Sequence, residues 1–297
     1  MSADPVWDLV REQDPRHRPF LDTAFAGLEA AEQAALDAYL AHLRAEGLTD
    51  QRIVDCYLTL VGDMLREQIY FRRHKHYRHS TYVEVAASVY DDPDYMTRYM
   101  VGLGLSTYVW PNHVAMRRFA EGAMPVGSGR GFLEVGPGHG LFFLHALGLG
   151  GFSRYVGVDI SATSLALTRA LLERRGEVPD SLDLRHADFL DCALSGGWDA
   201  LVLGEVIEHV ERPGAFLERA ASLADADTWI HVTTCINSPA VDHITLFRDE
   251  ATIEALFADA GLRIEDRLAL GHAGTTLAES HARALPVNVA YVLRRAP

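Results

Sequence analysis

Cysteine is scarce in this chain. Only Cys56, Cys192 and Cys235 occur among 297 residues, and no two are closely spaced. A disulfide framework or a cysteine-built metal site needs paired or clustered thiols, so neither is expected, and the usage suits a reducing compartment. A basic surplus is also missing: lysine and arginine number 27 against 41 aspartate and glutamate, for a formal net charge of −14. Broad binding to nucleic acid or an anionic membrane calls for the opposite sign. No apolar run approaches a bilayer span. The first residues lack the basic region and apolar core of a secretory signal. Repeats and low-complexity tracts are absent. These absences lead to the expectation of a soluble, cytoplasmic protein whose partner is a small molecule, with nucleic acid and membrane disfavoured and the oligomeric state undetermined. What the chain does have is 48% hydrophobic residues, enough for a sizeable core.

The pattern changes character near residue 126. Before it, apolar residues recur at helical spacing. Leu28, Ala31, Ala35, Leu36, Leu40 and Leu43 suggest a helix over 21–47 with Gly47 as its stop. Asp50 is a candidate cap for a second helix carrying Ile53, Tyr57, Leu60, Met64 and Leu65. Asp92-Pro93 reads as an N-cap with proline at the first helical position, and Trp110-Pro111-Asn112 as a break before a helix that starts at His113. Residues 1–20, polar and with three prolines, read as a loosely held arm. The expected division is a helical domain over 1–125, covering a cleft and shaping the substrate pocket, and a second domain over 126–297.

From 126 onward strands and helices alternate, which implies α/β architecture: a doubly wound, mostly parallel seven-stranded sheet. Strands are expected at 132–135, 155–160, 182–187, 199–203, 229–233, 263–266 and 287–293, with helices near 139–147, 161–174, 213–224 and 249–260. Phe132, Leu133 and Val135 form the first strand, with Glu134 near its end, followed by Gly136, Gly138 and Gly140 before the apolar Leu141-Phe142-Phe143. Glycines let backbone approach a ligand, and a helix N-terminus offers unpaired N–H groups. A dinucleotide fingerprint would need a third glycine where Leu141 stands, so a dehydrogenase is disfavoured. The bland alternative is a glycine-rich turn without a cofactor. A second strand ends in Asp159-Ile160, where a carboxylate can accept from both hydroxyls of a ribose. A third is followed by Asp188-Phe189.

The E-x-G-x-G-x-G run, Asp159 and Asp188-Phe189 together resemble the successive motifs of the class I S-adenosylmethionine (SAM) methyltransferases, over about residues 126–297. That resemblance implies a Rossmann-like fold with SAM as cofactor, held by Glu134, Gly136, Gly138, Gly140, Asp159, Ile160, Asp188, Phe189 and Glu205. Asp188 would accept from the adenine amino group and Phe189 would lie along the ring.

Directly after the fourth strand comes Glu205-Val206-Ile207-Glu208-His209, and later Asp242-His243. On a helical turn Glu205, Glu208 and His209 share one face. Two carboxylates and an imidazole beside a cofactor cleft make a candidate divalent-metal site, with His243 as a fourth ligand. The E-x-x-E-H … D-H pattern resembles the ubiquinone-pathway O-methyltransferases and the small-RNA 3′-end 2′-O-methyltransferases. In the latter, the residues matching Glu205, Glu208, His209 and His243 hold a metal; mixed ligation suits Mn, Fe or Co better than Mg. Metal-free relatives also carry an E-H-V here, which leaves His209 and His243 as acid–base or structural residues. An oxygen acceptor such as a diol, catechol or 2-oxo acid is the leading expectation. Metal-independent C- or N-methylation, RNA methylation and a SAM-binding protein without catalysis are the alternatives. The dense basic and aromatic stretch 70–82 reads either as a solvated surface or as a pocket wall. Tyr108, His113, His76 and Tyr77 are the candidate substrate residues.

Overall fold

The computed structural model describes residues 4–174 and 178–297. Seven helices come first: α1 (Pro5–Gln13), α2 (Arg18–Ala26), α3 (Ala30–Ala45), α4 (Asp50–His74), α5 (Tyr82–Ala86), α6 (Pro93–Val109) and α7 (Pro111–Ala123). Residues 4–20 are not a loose arm. Asp4 caps α1 through Val6 N–H, Pro5 opens it, and Trp7, Val6 and Val10 are fully buried. Prolines in this stretch start helices, where their missing N–H is no loss, and the Trp7 indole packs edge-on against Tyr57. The expected single helix over 21–47 is two, because a capping box between Glu29 and Glu32 restarts the chain after Gly27. Thr49, one residue before Asp50, caps α4. Trp110 ends α6 and precedes Pro111, which opens α7 two residues earlier than His113.

The sheet follows: β1 (Gly131–Val135), α8 (Leu141–Leu149), β2 (Arg154–Asp159), α9 (Ala162–Glu173), β3 (Leu182–His186), β4 (Trp198–Gly204), α10 (Pro213–Leu223), β5 (Trp229–Ile236), α11 (Glu250–Asp259), β6 (Leu262–Leu270), α12 (Leu277–Ala282) and β7 (Val287–Arg295). All seven expected strands are present. Their order is β3-β2-β1-β4-β5-β7-β6, parallel except for β7, which runs antiparallel to both neighbours. Parallel strands covered on both faces read as continuous apolar runs, and β1, β4 and β5 are buried along almost their whole length. The order reverses between β1 and β4, and a crevice opens there at the carboxyl ends of the strands.

The helices before the sheet pack against α8 and α9, the helices that follow β1 and β2. Leu141 of α8 and Leu171 of α9 belong to the same core as Trp7, Leu40, Tyr57 and Val109. A smaller core of Leu60, Val89, Met96, Tyr99 and Met100 closes the other wall of the crevice. No helix among the described residues is long and apolar enough to cross a membrane.

Candidate active site

The turn after β1 is built for close approach. Gly136, Gly138 and Gly140 all have positive φ, and a Cβ on Gly140 would meet the Thr168 backbone at 3.1 Å. Gly140 is the N-cap of α8, so the N–H groups of that helix face the crevice floor. Glu134 ends there too, 2% exposed, with its Oε2 lacking any partner among the described residues. Burial, and then the Asp159 charge, push its carboxyl well above the ordinary range. Asp159 accepts from Ser161 N–H at 2.8 Å and from Gly138 N–H at 3.4 Å, yet burial still lifts it to about 6. Ile160, 40% exposed, and Asp188 lie at the same opening. Phe189 lines the cleft but is largely turned inward against Phe216, ring centroids 5.5 Å apart.

The loop after β4 is not a helical turn. Residues 205–212 form bends and a single turn, and Glu205 is left-handed at φ 51, a conformation that costs a non-glycine residue about 1 kcal/mol or more. Its N–H donates to Thr233 Oγ1 at 2.9 Å. Its Oε1 is buried without a partner among the described residues, and burial followed by the Glu208 carboxylate raises the carboxyl far above the ordinary range. Glu208 is fully buried and accepts from Thr234 Oγ1 at 2.8 Å, while its backbone carbonyl receives Ile244 and Thr245 N–H. That pairing ties the loop after β4 to the loop after β5 and brings His209, Asp242 and His243 together.

The two histidines differ in charge. Burial works against charging His209, but Asp242 lies 3.3 Å from Nδ1 and holds the imidazole protonated up to about 10. Asp242 in turn is 2% exposed and kept well below the carboxylate range: burial is outweighed by His209, and Tyr99 and Tyr90 O–H groups donate to its two oxygens at 2.9 and 3.1 Å. His243 stands with its ring perpendicular to His209, centroids 4.7 Å apart. Its Nδ1 donates to the Ser238 carbonyl at 2.7 Å, which leaves Nε2 as a lone-pair acceptor, and burial lowers its basicity. Two neighbouring titratable groups pushed apart in this way mark an assignment of roles.

The four residues expected to share a metal are divided. Among the described residues, donor atoms of Glu208, Cys235 and His243 form one group and those of His209, Asp242 and His243 another, each within 4.8 Å, and Glu205 belongs to neither. Of the expected substrate residues, His113 lines the cleft: Ser106 Oγ lies 2.8 Å from its Nδ1, and burial lowers it to about 4. The other three lie outside the lining. Tyr108 packs in the helical core with Arg117 over its ring. His76 is exposed beside Tyr70. Tyr77 is buried beneath His243. Most of the 70–82 stretch is surface, with His74 stacked on Tyr70 at 4.2 Å and Arg78 over the same ring at 4.3 Å. Tyr82 alone reaches the lining.

Tyr90 and Tyr99 carried no motif in the sequence, and Asp242 was marked only as the neighbour of His243, because the three meet only across the fold. The cleft they complete has a volume of about 790 Å³ and walls rich in Met64, Met96, Met100, Met116, Trp110 and Phe142. That is the upper part of the usual range for ligand pockets. A positive sulfonium and ammonium fit its floor, where Glu134 and Glu205 offer buried, unpartnered oxygens.

Residues 133–230 match the family model described as "Methyltransferase domain". No curated protein matches the chain in sequence. Among solved structures, the fold is similar to that of the mitomycin 7-O-methyltransferase MmcR, at 18% identity and TM-score 0.56 over 79% of this chain and 68% of that one. It is similar also to geranyl diphosphate C-methyltransferase from Streptomyces coelicolor A3(2), at 16% identity and 0.52 over 75% and 90%. The cyclopropane synthase MmaA2 from Mycobacterium tuberculosis aligns at 14% identity and 0.51 over 63% and 85%.

Proposed function

We propose that this chain, a SAM-dependent methyltransferase, methylates an acidic oxygen on a bulky apolar small molecule, and that it does so without a metal. The observation that carries the acceptor is the paired His209 and His243, one imidazole held charged and the other held neutral, on the wall of one apolar cleft. When bound, SAM supplies a methyl group already activated by its sulfonium, so the chain has to align the acceptor and manage one proton. Gly136, Gly138, Asp159, Ile160, Asp188 and the carboxyls of Glu134 and Glu205 hold the cofactor in this reading.

His243 takes the proton at Nε2, since its Nδ1 hydrogen is committed to Ser238. His209, oriented by Asp242, donates from Nε2 and stabilises the acceptor oxygen as an anion. Phenols, enols and carboxylic acids suit such a site. The methionine walls adapt to irregular apolar shapes, and the −14 charge gives no basic track for RNA.

No step is routed through a metal, because the donors implied by the E-x-x-E-H … D-H resemblance do not gather at one point. Exhaustive chelation is expected to leave methyl transfer unchanged. His243→Ala is expected to lower kcat by about 100-fold, the scale of a positioned base. The measurement is transfer from labelled SAM to a phenol and carboxylic-acid panel. Activity lost on chelation and restored by Mn²⁺ would instead support a divalent ion among His209, Asp242 and His243, the reading favoured by their mutual 4.8 Å proximity.

A further inference from the structure

The segment between α4 and α6 supplies Tyr90 to the acid–histidine pair, but the placement of its first part is required neither by that pair nor by the sheet. It crosses the mouth of the cleft. Its short helix α5 is anchored by Val85 and Val89, both essentially buried, while Val83 beside them is 80% exposed at the cleft lining. The Tyr82 backbone N–H donates to Glu211 Oε1 at 2.9 Å, which pins the segment to the loop that carries Glu205 and His209. Tyr82 shares the cleft lining with Asp159, Ile160 and Asp188, the residues at the ends of β2 and β3. Its ring stacks on Tyr90, with centroids 5.6 Å apart and planes 23° from parallel.

We propose that Tyr82 is a cofactor-contacting residue, closing over the adenosine part of SAM from the helical side of the cleft. The proposal rests on reading the cleft as a SAM site. The apolar side chain of Ile160, left 40% exposed at the same opening, is the surface a flat heteroaromatic ring would cover from the sheet side. Tyr82 supplies the facing aromatic surface. Burial first, then the charges of Asp91, Asp159 and Asp188, raise the pKa of its phenol, which agrees with a ring that stands near the acids at the ends of β2 and β3. The stack carries inward: Tyr90 O–H donates to Asp242 Oδ2 at 3.1 Å and lies 3.4 Å from His209 Nδ1. Adenosine, Tyr82, Tyr90 and the Asp242–His209 pair thus form one contiguous row, with Tyr90 as a positioning residue for His209.

The test is calorimetric. S-adenosylhomocysteine and 5′-methylthioadenosine, which has the adenosine but no amino-acid end, are titrated into wild type, Tyr82→Ala, Tyr82→Phe and Glu211→Ala. Tyr82→Ala is expected to weaken both ligands by about tenfold, the scale of one aromatic contact with its buried area. Tyr82→Phe keeps the ring and is expected to retain most of the affinity. Glu211→Ala, which frees the segment at a residue on the border of the cleft, is expected to weaken both ligands to a smaller extent. Wild-type affinity for both ligands in Tyr82→Ala overturns the proposal. So does a loss confined to S-adenosylhomocysteine, which would place the ring at the amino-acid end. A wild type that binds neither ligand overturns the SAM reading itself. If Tyr82→Ala fails to fold, Glu211→Ala still decides, because unchanged affinity there overturns the closing role of the segment.

Discussion

At the residue scale, three carboxyl groups of the site, those of Glu134, Asp159 and Glu205, are placed where ionisation is difficult. Asp159 is the most informative of them. Burial lifts its pKa to about 6, above its ordinary value, so burial opposes its ionisation. The sign follows: this group's contribution to stability is lost as pH rises through about 6, whereas ribose hydroxyls donating to it favour the charged form. Affinity for S-adenosylhomocysteine is therefore expected to rise between about pH 5 and about pH 7, with a proton released on binding. Calorimetry in buffers of different ionisation enthalpy measures that proton, and Asp159→Asn is expected to flatten the dependence. Asp242 acts on His209 instead of on the ligand. Asp242→Asn is expected to lower kcat by about 100-fold while leaving affinity for S-adenosylhomocysteine near wild type, since the substitution preserves shape and removes the charge. Equal losses in kcat and in cofactor affinity would mean that the cleft itself had collapsed.

At the element scale, the central parallel strands were legible because burial on both faces turns them into apolar runs, the edge strand β3 showed instead as a short apolar–polar alternation, and the helices between them followed from spacing. The glycine turn and Asp159 were legible because a strand end facing a ligand calls for particular residue types. The helices before the sheet were only partly so. Pro5, Pro15 and Pro19 look like loop markers until one sees that Pro5 and Pro15 begin helical turns and Pro19 falls in the first turn of α2. Trp7 shows what is at stake: fully buried and packed against Phe25 and Tyr57, it makes α1 part of the helical core. Trp7→Ala is expected to cost about 3 to 5 kcal/mol by cavity formation. Denaturant melts would measure that cost; a change of a few tenths of a kcal/mol would mean that α1 is peripheral.

At the scale of the whole molecule, the cleft lies between the carboxyl ends of β1, β2, β3 and β4 and the inner faces of α4, α6 and α7. Its ligand bridges parts of the chain that otherwise meet only through packing. Saturating S-adenosylhomocysteine at about 100 times its Kd adds about 2.7 kcal/mol to stability. The melting temperature is expected to rise by several degrees in differential scanning, and no shift would argue that the cleft does not take this ligand.

The sequence by itself determined the sheet, the glycine turn and the acids at the strand ends, because each is set by residues adjacent in the chain and by the period of burial. It also pointed to Glu205, His209 and His243, which line the cleft because all three follow strands at the same end of the sheet, whereas Glu208 is buried behind them. Only the tertiary structure decided which of them meet. Glu205 turns left-handed away from the presumed helical face, Asp242 takes His209, and Ser238 fixes the His243 tautomer. It also brought Tyr82, Tyr90 and Tyr99 from the helical half to the cleft. Those contacts join residues more than a hundred positions apart, and no local spacing encodes them; packing of the helices on the sheet does.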